Sequence, residues 1–339
     1  MKKLITLTLI TLALLTLACS DDQTKTTNPQ TTTTDKYSFP LSTNTLQQDR
    51  ANFTTKIVDT TFQPDGEPDI PPQEIFDLIH YKAPDGDMAA YLTPDPQDGQ
   101  KHPAIIWIHG GFGGIGDWFW EDPVDELNDQ SGRALREAGI VMMIPSFRGE
   151  NANPGQYQMF YGELDDLKAA LTYLQQLPYV DPNRIYLIGH STGGTTVLLA
   201  NEYIDGFRAT FSLGGIPDLK LLSLKASSLP VAIPFNQKDE KEFTLRSPRT
   251  YITSIKSPTF YFEGQENAYF WPQFKELNKI AQEKNIPFIA YNLKDGDHFD
   301  ILHPTTNIIA KKILADTGAK TNIQFTQQDI EWIEQNIGK

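Results

Sequence analysis

The stretch Gly189-His190-Ser191-Thr192-Gly193-Gly194 constrains what this chain can fold into more than any other. It follows a run at 184–188 that reads as a buried strand, and residues 192–203 read as a helix, so a strand must turn directly into a helix. Ser191 stands at the apex, with glycine two places before it and two places after it. A bend that sharp needs neighbours without Cβ atoms. It lifts the serine hydroxyl above the edge of a sheet and puts the Thr192 backbone N–H at a helix N-terminus, where it can donate to a developing oxyanion. Ser191 is therefore the candidate nucleophile and Thr192 a candidate oxyanion donor.

The rest of the chain supplies the sheet that such a bend requires. Residues 74–81 and 87–92 read as two strands joined by the turn Pro84-Asp85-Gly86. Strands then alternate with helices. The predicted strands are 104–108, 140–145, 184–188, 207–213, 259–262 and 287–292, and the predicted helices are 131–138, 192–203, 274–284 and 305–316. A further helix is marked by Leu164, Leu167, Leu171 and Leu174, spaced 3, 4 and 3 residues apart. Continuous apolar runs such as 104–108 suit strands buried on both faces. The alternation predicts an α/β fold, a mostly parallel central sheet with helices on both faces. Residues 216–256 interrupt it and are long enough for a small cap. Within them Leu221, Leu222, Leu224, Leu229 and Val231 raise the further option of an apolar lid.

A serine nucleophile needs donors, a base and an acid. His109-Gly110-Gly111-Phe112-Gly113-Gly114 follows the strand at 104–108. Glycines let backbone N–H groups approach a substrate carbonyl, which makes Gly111 or Phe112 the second oxyanion donor. Asp295-Gly296-Asp297-His298-Phe299 follows the strand at 287–292 and offers His298 as the base. Histidine titrates nearest neutral pH. His303 is its rival. The acid belongs between serine and histidine in chain order, just after the strand at 259–262. Glu266 is the first choice there, with Glu263 and Asp218 as alternatives.

The N-terminus reads as a targeting signal. Lys2 and Lys3 precede an apolar and threonine run, and Leu15-Thr16-Leu17-Ala18-Cys19 resembles a bacterial lipobox. Cys19 is the only cysteine, so it has no disulfide partner within the chain, and it is the expected lipid-attachment site. Residues 1–18 form the signal peptide. Residues 19–36, polar throughout apart from Cys19, form a disordered tether, and 37–339 form one folded domain. Ser20-Asp21-Asp22 resembles signals that carry lipoproteins to the outer membrane or cell surface. The expected location is the cell envelope, with the chain held on a bacterial membrane by its lipid alone. The formal charge of −14 repels phosphate backbones and argues against a nucleic-acid partner.

Several segments together resemble the catalytic domain of the prolyl oligopeptidase family, within the α/β-hydrolase superfamily. Pro145-Ser146-Phe147-Arg148-Gly149 is similar to its Arg-Gly loop. Tyr179-Val180-Asp181-Pro182-Asn183-Arg184-Ile185 is similar to its lead-in to the serine strand, and Ile255-Lys256-Ser257-Pro258 to its approach to the acid strand. The likeness runs over residues 75–315. It implies the α/β-hydrolase fold and acyl transfer by a Ser-His-acid triad on a small ester or a short peptide.

The chain also departs from the family pattern. Asn267 stands where the family's aspartate falls after Gly264, Glu263 stands where it usually has histidine, and Thr192 stands where its peptidases often have tyrosine. Members often carry a β-propeller before the hydrolase domain, and no segment here has the length for one. These departures leave three readings open: a peptidase, a carboxylesterase or lipase, and a binding lipoprotein that keeps the fold without the chemistry. No His-Glu-x-x-His, paired cysteines or calcium loop calls for a metal, and no cofactor is expected.

Overall fold

The structure is a computed structural model that describes residues 40–339 except 64, 123, 224–230 and 268. The signal peptide, the tether and Cys19 lie outside the described residues.

Eight strands form one sheet: β1 (Asp77–Ala83), β2 (Gly86–Leu92), β3 (His102–Ile108), β4 (Val141–Pro145), β5 (Val180–His190), β6 (Thr210–Leu213), β7 (Thr259–Gly264) and β8 (Phe288–Leu293). Their spatial order is β1-β2-β4-β3-β5-β6-β7-β8. β1 and β2 form the expected hairpin, closed at Ala83↔Gly86, and β2 also runs antiparallel to β4. All remaining pairs, from β4 across to β8, are parallel. This is the α/β-hydrolase fold.

Parallel strands need crossovers long enough for a helix. α2 (Arg133–Glu137), α3 (Glu163–Gln176), α4 (Thr192–Tyr203), α7 (Trp271–Lys284) and α8 (Leu302–Ala315) lie between or after the strands. β3 shows why the sheet is covered on both sides. Ala104, Ile106 and Ile108 pack into one apolar cluster with Leu164, Leu167, Leu171 and Leu174 of α3. Ile105 and Trp107, on the opposite face, join a second cluster with Leu302, Ile309 and Ile313 of α8. The period-3.6 stripe of α3 is thus its buried face. Glu163, Asp165 and Asp166 in its first turn complement the helix dipole.

Between β6 and β7 the chain forms α5 (Leu219–Ser223), α6 (Glu240–Thr244) and a 3-10 segment, Pro248–Ser254. Arg246 pins this region. Its guanidinium is fully buried, pairs with Glu242 at 2.6 Å and donates to Met159 O at 2.8 Å.

Outside the 216–256 region, the helices α1 (Leu46–Ala51) and α9 (Gln327–Gln335) were not expected from periodicity. Each opens with a capping box, at Thr45 and Thr326. From α1 the chain runs across the Arg-Gly side of the molecule. Ile57 bridges Phe235, and Phe62 stacks on Tyr157 with centroids 4.5 Å apart.

Candidate active site

Ser191 sits between β5 and α4 with φ 54 and ψ −114, a conformation that non-glycine residues avoid. The surroundings enforce it. A Cβ at Gly193 would meet Ile108 O at 2.1 Å, so no other residue lets α4 start this close to β3. The Ser191 N–H donates to Leu213 O at 2.8 Å.

The next residue, Gly214, connects the serine to the histidine. It has φ +69, and a Cβ on it would stand 2.4 Å from His298 Cε1 and 2.6 Å from Nδ1. The imidazole therefore packs flush on the backbone that follows the Ser191 contact. His190 gives a second link. Its fully buried ring lies 4.7 Å from the His298 ring, and its Nε2 is 3.0 Å from the His298 carbonyl. Burial, followed by the neighbouring His298, holds the His190 pKa well below the usual histidine value. His190 is thus neutral, and a proton on Nε2 tethers the His298 backbone.

His298 lies on the loop after β8, which is folded by its own acids. Asp297 Oδ1 accepts the N–H groups of Phe299 and Asp300, at 2.6 and 2.9 Å, and Asp300 Oδ1 accepts that of Asp297 at 2.7 Å. The rival His303 lies in α8 and faces elsewhere, with Nδ1 3.5 Å from Asp129 Oδ2.

The acid facing His298 is Glu263, not the first-choice Glu266. Glu263 Oε1 is 3.4 Å from His298 Nδ1, and its side chain is 2% exposed. Its carboxylate also accepts the Gly264 N–H at 3.0 Å and the Tyr261 hydroxyl at 3.3 Å. Glu266 is exposed in the single turn Gln265–Asn267, and its backbone N–H donates to Gly296 O at 2.9 Å. The reason for the correction is where β7 stops. The strand runs on through Gly264, so position 263 still lies beside the histidine loop, and three residues later the chain has turned to solvent. Asp218, the other alternative, is buried and accepts the Lys220 N–H at 2.9 Å, away from the histidine.

The glycine loop after β3 packs directly on the serine. A Cβ at Gly110 would lie 3.1 Å from Ser191 Cβ. Thr192 Oγ1 donates to Gly111 O at 2.6 Å. In a trans peptide the N–H points opposite to the C=O, so the Phe112 N–H is turned away from the Thr192 hydroxyl. Asp65 Oδ2 accepts the Gly114 N–H at 2.6 Å and fixes the far end of the loop. Sequence reasoning missed the Thr192 hydroxyl and Asp65 contacts, since both join residues tens of positions apart in the chain.

A serine raised on a strained bend, an imidazole paired with a buried carboxylate and a glycine loop, set on this sheet, define a serine hydrolase of the α/β-hydrolase class. The chain belongs to the prolyl oligopeptidase family, whose profile matches residues 129–316. It is 24% identical over 184 residues to an uncharacterized peptidase of Bacillus subtilis, covering 52% of this chain and 67% of that one. It is 26% identical over 237 residues to dipeptidyl-peptidase 5 of Porphyromonas gingivalis, covering 64% of this chain and 33% of that protein. Among solved structures, the acylaminoacyl peptidase of Pyrococcus horikoshii superposes with a TM-score of 0.59 at 19% identity. That match covers 76% of this chain and 44% of the other. The chain thus spans less than half the length of these last two.

Proposed function

We propose that the protein cleaves an ester or a peptide/amide bond by acyl transfer, with Ser191 as nucleophile, His298 as base and Glu263 as the acid that orients it. Ser191 Oγ attacks the carbonyl carbon as its proton passes to His298 Nε2. The backbone N–H groups of Gly111 and Thr192 hold the oxyanion. His298 returns the proton to the leaving group, and water, activated by the same imidazole, releases the acyl group. Glu263 accepts from Nδ1–H throughout, which keeps the lone pair on Nε2 and stabilises the imidazolium. One observation carries this reading: His298 packs on Gly214, the residue after the carbonyl that holds the Ser191 backbone, with the Glu263 carboxylate behind it.

A fluorophosphonate probe tests it. The native protein should be labelled, and Ser191→Ala should not be. A native protein that resists labelling would favour the binding lipoprotein instead. A panel of acyl esters and aminoacyl amides then ranks esterase against peptidase. Thr192 at the position after the serine favours the esters.

The location belongs to the same reading. A lipid on Cys19 would hold the enzyme at a bacterial envelope membrane, with residues 20–36 as tether and residues from 37 onward as the folded body. Incorporation of labelled fatty acid that disappears in Cys19→Ala is the expected result, and incorporation that survives the substitution would refute the anchor.

A further inference from the structure

Beside the oxyanion loop is a pocket whose walls include Gly111, Phe112, Phe147, Tyr157, Phe160 and Glu150. Phe112 and Tyr157 meet at 89°, with centroids 6.4 Å apart, like two sides of a box. Thr192 and Gly193 also line it, so it lies next to the nucleophile. Phe160 is presented by a strained turn: Met159 and Phe160 have φ of 52 and 67. Arg246 holds the Met159 carbonyl, and Glu163 accepts the N–H groups on either side, from Gln158 and Tyr161.

Glu150 is 8% exposed. Its Oε2 accepts the Phe147 N–H at 2.9 Å. Its Oε1 has no hydrogen-bond partner among the described residues, and the side chain lines the pocket. That oxygen keeps some solvent access, so a group that enters the pocket can reach it. The nearby cations do not serve. Arg148 is taken by Asp166 and Asp85, at 2.7 and 2.9 Å, and Arg246 by Glu242 at 2.6 Å. His109 lines the pocket as well, and burial lowers its pKa, so it brings no positive charge. Burial, with Glu163, Asp65 and Asp166 close by, raises the Glu150 pKa well above the usual carboxyl value. Acidic side chains, Glu150 and Glu163, thus line the pocket beside its aromatic rings, and the nearby cations are already paired.

Aromatic faces around a carboxyl group are the environment that binds organic cations. We propose that this pocket is a subsite for an alkylammonium group carried by the substrate, with Glu150 as its counter-charge. This deepens the hydrolase reading and rests on it. With the ammonium bound, the Glu150 carboxylate faces it as the opposite charge.

The test uses matched esters that differ only in a trimethylammonium against a tert-butyl group of the same shape. One pair carries the group on the acyl chain and the other on the alcohol. At least one pair should favour the cation by about tenfold in kcat/KM. In Glu150→Gln, which keeps an acceptor for Phe147, that ratio should fall to near one. A ratio is indifferent to any general loss of activity. Phe112→Leu, on the rim, should lower it about threefold. A ratio near one in the native enzyme for both pairs, or a ratio unchanged in Glu150→Gln, overturns the proposal. Butyltrimethylammonium binding, followed by calorimetry, is a readout that needs no catalysis. It should weaken about tenfold in Glu150→Gln, and equal or absent binding counts against the subsite. Binding that depends on Glu150 in a protein with an inert serine would sink the hydrolase reading alone.

Discussion

Glu263 Oε1 lies 3.4 Å from His298 Nδ1, at the end of a strand, with 2% of the carboxylate side chain exposed. A buried acid in that place fixes the tautomer and steadies the charged imidazole. Glu263→Gln should therefore lower kcat by about 10²–10⁴-fold while KM moves little. Glu266→Gln, in the exposed turn, should stay within about threefold of the native rate. Steady-state kinetics on one activated ester decides between the two carboxylates.

The Thr192 hydroxyl holds Gly111 O at 2.6 Å and thereby sets the direction of the neighbouring N–H groups. Thr192→Val keeps the shape and removes the hydroxyl. One net hydrogen bond is worth about 0.5–1.5 kcal/mol, so kcat should fall by about 2–10-fold. The rate of fluorophosphonate labelling should fall in parallel, because the probe's oxygen uses the same donors. An unchanged labelling rate would show that the loop keeps its geometry without this contact.

Gly214 combines φ +69 with the His298 ring against its Cα. Gly214→Ala should destabilise the fold by about 1–2 kcal/mol through the left-handed backbone. It should also push the imidazole out of line and reduce kcat by at least about 10²-fold. The urea midpoint measures the first effect and ester turnover the second. A variant with full turnover would mean that the base is elsewhere.

Stability should depend on pH through a pair remote from the site. Asp316 receives Arg208 at 2.7 Å and the Tyr186 hydroxyl at 2.8 Å. Burial raises its pKa, but the bonds from Arg208, with those from Thr321 and Tyr186, outweigh this and lower it from 3.8 to about 2. A depressed carboxyl contributes its stability above the unfolded value and loses it as pH falls through the folded one. The contribution is therefore complete above about pH 4 and fades towards pH 2. Asp316→Asn should cost about 1–2 kcal/mol at pH 7, and the gap to the native protein should narrow below pH 4 in urea unfolding curves. His190 adds a second slope. Its pKa is lowered well below the ordinary 6.5, so acid protonates the unfolded chain first and stability declines as pH drops below 6.5.

The elements near the site were legible because their signals are local. A strand buried on both faces shows as an unbroken apolar run, as at Ile105, Ile106, Trp107 and Ile108. The α3 helix shows in its four leucines, and α4 runs over the predicted residues, Thr192–Tyr203. The helix α1 escaped because six residues carry little periodicity, and its stability comes from Arg50 reaching Tyr161 O and Asp165. The sequence left the carboxylate beside His298 open between Glu266, Glu263 and Asp218, because Glu263 and Glu266 are only three residues apart and chain order cannot choose between them.

The amino-acid pattern alone determined the alternating sheet, the serine on its bend and the histidine after the last strand, since each depends on residues adjacent in the chain. Folding decided which carboxylate meets the imidazole, which hydroxyl steers the glycine loop and which glutamate lines the pocket beside the nucleophile. Those contacts join residues up to 81 positions apart, as for Thr192 and Gly111. Only the packing of β3, β5, β7 and the loop after β8 against one another brings them within hydrogen-bonding distance.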